Sequence, residues 1–285
     1  MFTLAQLSRV ALEAQPQLAF TTLEIGALPL EGQTEPAHQL LDAFPGSRVI
    51  AFELDKQLCA ELNRKARHGI RFYPVALGKA EETRKLYETR HPMCTSLYQP
   101  NEPLLERYVN LEVAMLKSVG SVQTVSLDRF VADNGVTDVD FIKIDVQGAE
   151  LDVFAGAVTA LRGVVAIVSE VEFVPLYVDQ PLFGDVCRFL DGHDLMFHKL
   201  LGMAGRALKP TLVNNDPNYA VQHMWSDAMF VRNVRKLDQL APQKLLKLAV
   251  LAHLYHSPDL MFHCLERYEE HCGAGVLQKL LRTGS

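Results

Sequence analysis

The strongest constraint on the fold is a regular alternation of short apolar runs with amphipathic helical segments. The apolar runs, rich in β-branched residues, occupy residues 18–25, 48–53, 70–75, 139–144 and 164–171. Between them, apolar side chains recur at helical spacing, and Leu151, Phe154 and Val158 form one such stripe. Strands that alternate with helices are joined by right-handed crossovers. The pattern therefore predicts an α/β protein with a mostly parallel sheet covered on both faces.

Two further apolar runs, at residues 194–201 and 227–232, complete a predicted sheet of seven strands. The segment between them, residues 202–225, is rich in Gly, Pro and Asn and shows no helical pattern. Neighbouring parallel strands need a long crossover, usually a helix, so we expect the last strand to be antiparallel.

The remaining segments of this part of the chain are less regular. Residues 2–14 have the spacing of a helix packed on one face, and residues 35–44 that of a short helix. Residues 79–122 are polar and rich in proline, with a predicted helix at residues 104–117.

The character of the chain changes after Lys236. Pro242 and Pro258 stand where the first residue of a helix is favoured, and leucine-rich segments follow both. We therefore predict a domain of residues 1–236 and a helical C-terminal extension of residues 237–285.

Composition excludes several classes of protein. The chain has 28 Lys and Arg residues and 34 Asp and Glu residues, a net charge of −6, whereas nucleic-acid binders carry basic patches. No apolar run approaches the roughly 18 residues of a membrane span, so none is expected. Five scattered Cys residues without a C-x-x-C pair argue against a disulfide framework and predict a reducing, cytoplasmic location.

Polar and small residues follow the predicted strands at the edge where open parallel sheets bind ligands. They are Glu24, Gly26, Ala27, Glu53, Ala76, Leu77, Asp145, Glu170 and Glu172. A glycine after the first strand lets a ligand approach the backbone, and a carboxylate after the second accepts both ribose hydroxyls. Taken singly, each acid is equally well explained as a solvated loop start or a helix cap.

The phosphate-binding fingerprint G-x-G-x-x-G is missing after the first strand, where Gly26 is followed by Ala, Leu and Pro. A ligand with a ribose but no pyrophosphate fits this pattern better than a dinucleotide, which disfavours a nicotinamide-dependent oxidoreductase. S-adenosylmethionine is such a ligand, and an acidic pocket stabilises its cationic sulfonium.

Residues 126–157, S-L-D-R-F-V-A-D-N-G-V-T-D-V-D-F-I-K-I-D-V-Q-G-A-E-L-D-V-F-A-G-A, resemble the signature of the FkbM family of S-adenosylmethionine-dependent methyltransferases. The matching residues are Leu127, Asp128, Phe130, Lys143, Asp145, Gly148 and Glu150. The similarity extends upstream to E-I-G-A, F-E-L-D and V-A-L-G, and downstream to S-E-V-E-F and D-A-M-F-V-R. It implies a Rossmann-like class I methyltransferase fold and O-methylation of hydroxyls on sugars, polysaccharides or macrolide-like products.

The resemblance also implies how the cofactor is bound. The methionine moiety is expected beside Glu24, Gly26 and Ala27, the ribose beside Glu53, and the adenine edge beside Ala76 and Leu77. Asp145 is expected at the mouth of the methyl-transfer site. The chain departs from the family in two places. In the first motif, Glu24 and Leu28 replace its usual Asp and Asn and Gly32 is displaced, and in the signature Gln147 replaces its usual Glu.

Methylation of an alcohol requires a base for the hydroxyl proton. His91 and Asp145 are the candidate catalytic residues, although a surface or packed histidine is the simpler interpretation of His91. The candidate substrate contacts are Glu170, Glu172, Tyr177 and His223. Asp145, Glu170 and Glu172 could instead hold a divalent cation, but nothing in their spacing demands one, so no metal site is assigned.

Two signature residues are given structural roles. Lys143 is expected to pair with an acid on a neighbouring strand, such as Glu170. Glu150 is expected to stabilise the first turn of its helix, because a negative charge there interacts favourably with the helix dipole.

The sequence thus predicts an S-adenosylmethionine-dependent O-methyltransferase with a small-molecule or glycan acceptor and no nucleic-acid partner. The competing hypothesis is a non-catalytic scaffold, because the first motif is altered and helices are appended. Those helices carry an apolar stripe, formed by Leu245, Leu248, Leu251 and Ala252. This stripe is a candidate homodimer interface, and the alternative is that it packs on the chain's own sheet.

Overall fold

The computed structural model describes residues 2–26, 35–273 and 275–283. Its strands are β1 (Thr21–Ile25), β2 (Arg48–Phe52), β3 (Ile70–Tyr73), β4 (Ala76–Gly78), β5 (Glu82–Thr89), β6 (Leu116–Ser126), β7 (Phe141–Ile144), β8 (Ala166–Glu172), β9 (Leu195–Leu200), β10 (Ala204–Arg206) and β11 (Gln222–Arg232). Its helices are α1 (Leu4–Ala14), α2 (Leu40–Ala43), α3 (Lys56–Lys65), α4 (Glu102–Leu105), α5 (Leu127–Asp133), α6 (Glu150–Ala155), α7 (Phe183–Asp191), α8 (Pro242–Leu254), α9 (Pro258–Cys272) and α10 (Val276–Thr283).

Eight strands form the main sheet, in the order β10-β11-β8-β7-β1-β2-β3, with β9 also paired to β11. The strands β1, β2, β3, β7 and β8 run parallel, and β11 is antiparallel to its neighbours β8, β9 and β10. The predicted mostly parallel sheet with an antiparallel last strand is thus confirmed, in the class I methyltransferase layout that the resemblance implies. The sheet has one strand more than the seven predicted, because β10 forms within the segment assigned to a loop.

A second sheet has the strand order β4-β6-β5. Its strand β6 overlaps the end of residues 104–117, the segment predicted to be a helix. That prediction was wrong: only α4 and a 3₁₀ turn at Glu112–Ala114 are helical there, and β6 begins at Leu116. The apolar residues that suggested a helix, Leu105 and Leu111 among them, are buried around a compact loop instead. Pairing of β6 with β5, a partner distant in sequence, outweighs the local spacing.

Apolar cores cover both faces of the main sheet. One core lies between the sheet and α5, α6 and α7, and the other between the sheet and α1, α8, α9 and α10. Leu245, Leu248 and Leu251 are fully buried in the second core, so the apolar stripe of α8 packs on the chain's own sheet. Within the described ranges, no helix has both the length and the apolar character needed to cross a bilayer.

A buried ion cluster joins α8 to the sheet. The Asp140 carboxylate, 1% exposed, accepts hydrogen bonds from Nζ of Lys244 at 2.7 Å and from Nζ of Lys247 at 2.8 Å. It also accepts from the backbone amide of Thr21, at the start of β1, at 2.9 Å. Because Lys247 is itself buried, its charge depends on this carboxylate for the stabilisation that water cannot supply.

The first prediction concerns this cluster. Asp140→Ala leaves the Lys247 ammonium buried without its counter-charge, so the free energy of unfolding should fall by about 3 to 5 kcal/mol. Urea denaturation of both proteins measures the change. The control is Asp133→Ala, which removes an exposed ion pair with Arg129 and should change stability by less than about 1 kcal/mol. Equal, small changes in the two variants would contradict this role of Asp140.

Candidate active site

A cavity of about 240 Å³ opens at the carboxyl ends of β1 and β2, beside β4. We call it the first cavity. Five of the residues predicted to bind the cofactor line it: Gly26, Glu53, Ala76, Leu77 and Asp145. Apart from the adjacent Ala76 and Leu77, these residues are more than 20 positions from one another in the sequence. The sheet brings them together because the carboxyl ends of parallel strands meet at one edge.

Gly26 is required by the close approach of two strand ends. Its backbone is left-handed, with φ of +80°, and a Cβ atom built there would lie 1.8 Å from the carbonyl oxygen of Asp145. The Asp145 amide in turn donates a hydrogen bond to the carbonyl of Ile25, at 2.9 Å. Any other residue at position 26 would push β1 away from β7 and displace Asp145.

Glu53 is held at the end of β2 by the turn that starts α3. Its Oε1 accepts a hydrogen bond from the backbone amide of Asp55, at 3.0 Å. Asp55 is the N-cap of α3, where its Oδ1 accepts from the amides of Gln57 and Leu58 at 2.7 and 3.0 Å. The predicted ribose-binding carboxylate is therefore fixed on the rim of the first cavity.

Two predicted cofactor contacts are not among the residues of this wall. Glu24 forms a hydrogen-bonded pair with the imidazole Nε2 of His38 at 2.8 Å, beside the helical segment that precedes β2. Ala27 lies outside the described residues. A cofactor-binding role for either residue stays a prediction.

A second cavity, of about 310 Å³, adjoins the first. It is lined by four of the predicted catalytic and substrate residues besides Asp145, namely His91, Glu170, Glu172 and Tyr177. His223, the remaining predicted substrate contact, is exposed on β11 opposite Gly205 and is not part of this wall. Its substrate role stays a prediction.

Several residues of the second cavity carry no signal in the sequence, among them Cys94, Leu111 and Arg206. They come from residues 90–115, where the sequence predicts irregular structure and a helix that does not form, and from residues 204–206, where it predicts a loop. Leu111 belongs to the buried cluster around the loop after α4, and Arg206 ends β10. No local pattern indicated that these distant segments would meet above the sheet.

Asp145 and Gln147 line both cavities, and Gln147 fixes the orientation of the side chains around it. Its Nε2 donates to Asp145 Oδ1 at 2.8 Å and to Glu170 Oε2 at 2.6 Å. Its Oε1 accepts from the Tyr177 hydroxyl at 3.0 Å, and its carbonyl accepts from the Ser96 hydroxyl at 2.6 Å. The departure from the family at this position thus supplies two donors that a glutamate side chain lacks.

Three carboxyl groups around Asp145, of which Glu150 and Glu172 are buried and Glu170 is partly buried, hold protons more tightly than usual. Burial raises the pKa of Glu150 to about 7, although backbone amides at Val146 and Gly148 act in the opposite direction. Burial and the charge of Asp145 raise the pKa of Glu170 well above its ordinary value. Burial and the charge of Glu150 do the same for the pKa of Glu172. Part of the negative charge that the sequence suggests is therefore cancelled by protons at neutral pH.

Lys143 supplies a positive charge behind this cluster, but its partner is not the one expected. Its Nζ contacts Asp227 Oδ1 at 2.8 Å rather than Glu170. Burial lowers the pKa of Lys143, but the carboxylates of Asp227 and Asp145 outweigh burial and raise the pKa above its ordinary value. Because Asp227 is directly opposite Glu170 across β11 and β8, the ion pair spans one strand more than predicted.

A set of possible cation ligands differs from the one suggested by the sequence. One carboxylate oxygen from each of Asp145, Glu150 and Glu170 lies within 4.8 Å of the others. Oxygen ligands of this kind suit a hard divalent cation. The raised pKa values of Glu150 and Glu170 mean that protons compete for the same oxygens, so this cluster alone does not assign a metal.

The second prediction concerns the pH dependence of stability. A folded-state pKa near 7 for Glu150, above its ordinary 4.5, means that the folded state binds this proton more tightly. The resulting stability is present in acid and is lost as the pH rises through 7. Between pH 5 and pH 8 the loss due to Glu150 should be about 2 kcal/mol.

Glu150→Gln removes this titration, so its free energy of unfolding should fall by about 2 kcal/mol less than that of wild type over the same interval. Urea denaturation at pH 5 and pH 8 measures both falls. Glu61→Gln, an exposed change on α3, is the control and should leave the pH dependence as in wild type. An unchanged pH dependence in Glu150→Gln would contradict the prediction.

No curated protein matches the chain significantly in sequence. Magnesium protoporphyrin IX methyltransferase from Synechocystis, solved with bound SAM, is 10% identical and aligns over 79% of this chain and 76% of its own, with a TM-score of 0.36. An uncharacterised protein from Burkholderia thailandensis is 11% identical and aligns over 81% and 79%, with a TM-score of 0.28. Similarity at this level carries no argument about the site.

The family comparison is decisive. The model of the methyltransferase FkbM domain matches residues 25–198, from the end of β1 to within β9. The matched range includes Glu53, Asp145 and Glu170, so it covers most of the walls of both cavities. The chain therefore belongs to the FkbM family of methyltransferases, as its resemblance to the signature implied, and uses S-adenosylmethionine as methyl donor.

Proposed function

We infer that the protein is an O-methyltransferase that acts on a hydroxyl of a sugar, a polysaccharide or a related natural product. The observation that carries this proposal is the position of Asp145, which lines the first and the second cavity at once. A carboxylate shared by a donor cavity and an acceptor cavity is where a hydroxyl is oriented and loses its proton.

The residues of the first cavity fit S-adenosylmethionine. Glu53 offers a carboxylate to the ribose hydroxyls, and Ala76 and Leu77 offer an apolar edge to adenine. Gly26 lines the wall of this cavity at the end of β1, where its close contact with the Asp145 backbone holds the two strand ends together. When bound, the cofactor supplies a methyl group on a cationic sulfonium, which the Asp145 carboxylate stabilises.

The second cavity supplies what an alcohol acceptor needs. Asp145 can accept the hydroxyl proton as the oxygen gains the methyl group, and Gln147 holds the carboxylate in place through its Nε2. Tyr177 holds the Gln147 amide in the orientation that makes Nε2 the donor. Burial raises the pKa of Glu170 and of Glu172, and in their protonated form these carboxyl groups can donate hydrogen bonds to acceptor oxygens.

His91 is the weaker of the two predicted bases. Its Nδ1 accepts a hydrogen bond from the backbone amide of Met93, at 3.4 Å. With Nδ1 used in this way, a neutral imidazole carries its proton on Nε2 and has no free lone pair for an acceptor hydroxyl. His91 then contributes as a hydrogen-bond donor at the rim, and Asp145 as the base.

The same proposal covers organisation and location. Both cavities are lined by residues of the proposed domain 1–236, and segment 237–285 supports the sheet from one face. A homodimer through the C-terminal helices would need a face other than the buried stripe of α8. A cytoplasmic location is supported by five free cysteines, the form that a reducing compartment maintains.

The third prediction tests the first cavity. Glu53→Ala removes the carboxylate expected to accept the ribose hydroxyls, so affinity for S-adenosylmethionine should fall by about 10- to 100-fold. Isothermal titration calorimetry measures it, with micromolar binding expected for wild type. Glu61→Ala on the exposed face of α3 is the control and should bind like wild type. Wild type that does not bind the cofactor would end the proposal.

The fourth prediction tests the proposed base. Asp145→Asn keeps the size of the side chain but cannot accept the hydroxyl proton, so kcat should fall by about 100-fold or more. Transfer of the tritiated methyl group to a panel of mono- and oligosaccharides measures it. Asp191→Asn, an exposed change at the end of α7, is the control.

Two results would contradict this assignment. An Asp145→Asn variant as active as wild type would exclude Asp145 as the base. Cofactor binding by wild type without methyl transfer to any hydroxylated acceptor would favour the scaffold hypothesis instead.

A further inference from the structure

The second cavity contains a guanidinium that the methyl-transfer chemistry does not use. Among the described residues, none forms an ion pair with Arg206, and its Nε is buried without a hydrogen-bond partner. One of its terminal nitrogens donates to the carbonyl of the neighbouring Gly205, at 2.7 Å. Since a guanidinium has five N–H donors, most of its hydrogen-bonding capacity is unused.

Arg206 is placed by an irregularity of the sheet. The pairing of β10 with β11 shifts between Ala204 and Gly205, which lie opposite Trp225 and His223. A Cβ atom at Gly205 would lie 1.8 Å from the carbonyl oxygen of Gln222, so only glycine allows this approach. Bulges of this kind redirect side chains at functional sites.

The bulge brings Arg206 against the only tryptophan of the chain. The guanidinium carbon lies 4.9 Å from the centroid of the Trp225 ring, in a cation–π contact. Both side chains line the second cavity. The contact fixes the plane of the guanidinium while leaving its charge without an anion.

This arrangement is unfavourable unless something compensates the charge. Burial lowers the pKa of Arg206, although the Cys94 thiol and the exposed carboxylate of Asp216 act in the opposite direction. An arginine remains charged in proteins, so the half-buried guanidinium loses hydration and gains no ion pair in return. A planar fork with free donors matches the two oxygens of a carboxylate or phosphate group.

The acidic cluster and Arg206 give the second cavity two regions of opposite charge. Cys94 lines the cavity together with Asp145 and Arg206. Burial and the charge of Asp145 raise the pKa of its thiol, and Arg206 lowers it. A molecule with a hydroxyl near Asp145 can therefore extend towards Arg206. Apolar side chains such as Leu105 and Leu111 line the space with them.

We propose that the methyl acceptor carries an oxyanion, either a carboxylate or a phosphate. Arg206 binds this oxyanion, while Asp145 accepts the proton of the hydroxyl that is methylated. This inference rests on the proposed function and narrows it to acidic acceptors, such as uronic acids or sugar phosphates. Arg206 is then a specificity residue, since it selects the acceptor and fixes which hydroxyl faces Asp145.

The test uses the fluorescence of Trp225, which as the single tryptophan reports directly on the second cavity. Full-length protein with S-adenosylhomocysteine is titrated with D-glucuronate, D-glucose 6-phosphate and the neutral D-glucose. We expect at least one anionic sugar to bind about tenfold or more tightly than glucose. The carboxylate and phosphate arms distinguish the two sources of the oxyanion.

Three variants complete the test. Arg206→Gln should lose the preference for the anionic sugar, and Arg206→Lys should keep only part of it, because an ammonium lacks the planar fork. Arg188→Gln, on the exposed surface of α7, is the matched control and should keep the preference. Cofactor binding by calorimetry shows whether each variant is folded.

Wild type that binds neither anion, or binds all three sugars equally, would overturn the inference. An anion preference that survives in Arg206→Gln would do so as well. In these cases, normal binding of S-adenosylmethionine by wild type would leave the proposed function in place. Wild type that does not bind S-adenosylmethionine would contradict both the proposed function and the inference about Arg206.

Discussion

The site depends on the close approach of β1 to β7. At Gly26 the backbone turns left-handed directly against the carbonyl of Asp145, with no room for a side chain. This contact fixes the end of β7 and therefore the position of the Asp145 carboxylate. The turn from Gln147 to Glu150 follows from that point, and Glu150 closes it by accepting a hydrogen bond from the Val146 amide at 2.8 Å. The position of Asp145, which lines both cavities, is thus set by one backbone contact.

The second constraint is electrostatic. Four carboxyl groups converge at this edge, and burial makes full ionisation of all four costly. Three features reduce this cost: the raised pKa values of the glutamates, the amide of Gln147 and the ammonium of Lys143. The result is a site with limited negative charge that still offers Asp145 as a carboxylate. Such a balance suits a cationic donor, because a fully ionised cluster would bind cations without discrimination.

The sequence was sufficient for the parts of the molecule that follow from periodicity. The parallel strands, the antiparallel β11 and the glycine and acids at strand ends all have local signals, and five predicted cofactor residues meet in one cavity. The failures have a common physical cause. Residues 104–117 and β10 are shaped by pairing with distant segments, and the partner of Lys143 depends on which strand lies next to β8. Information of this kind is not contained in local spacing.

The same distinction separates the two cavities. The first includes several strand ends, whose positions the parallel sheet dictates, so five of its residues could be named from the sequence. The second is lined largely by residues 90–115 and by β10. A bulge, a compact loop and the contact of Arg206 with Trp225 set the shape of this cavity. A fold that sets the second cavity largely by irregular structure can change the shape of that cavity without disturbing its sheet. Acceptor choice is therefore expected to reside in these irregular segments, where loops positioned by a rigid scaffold carry specificity.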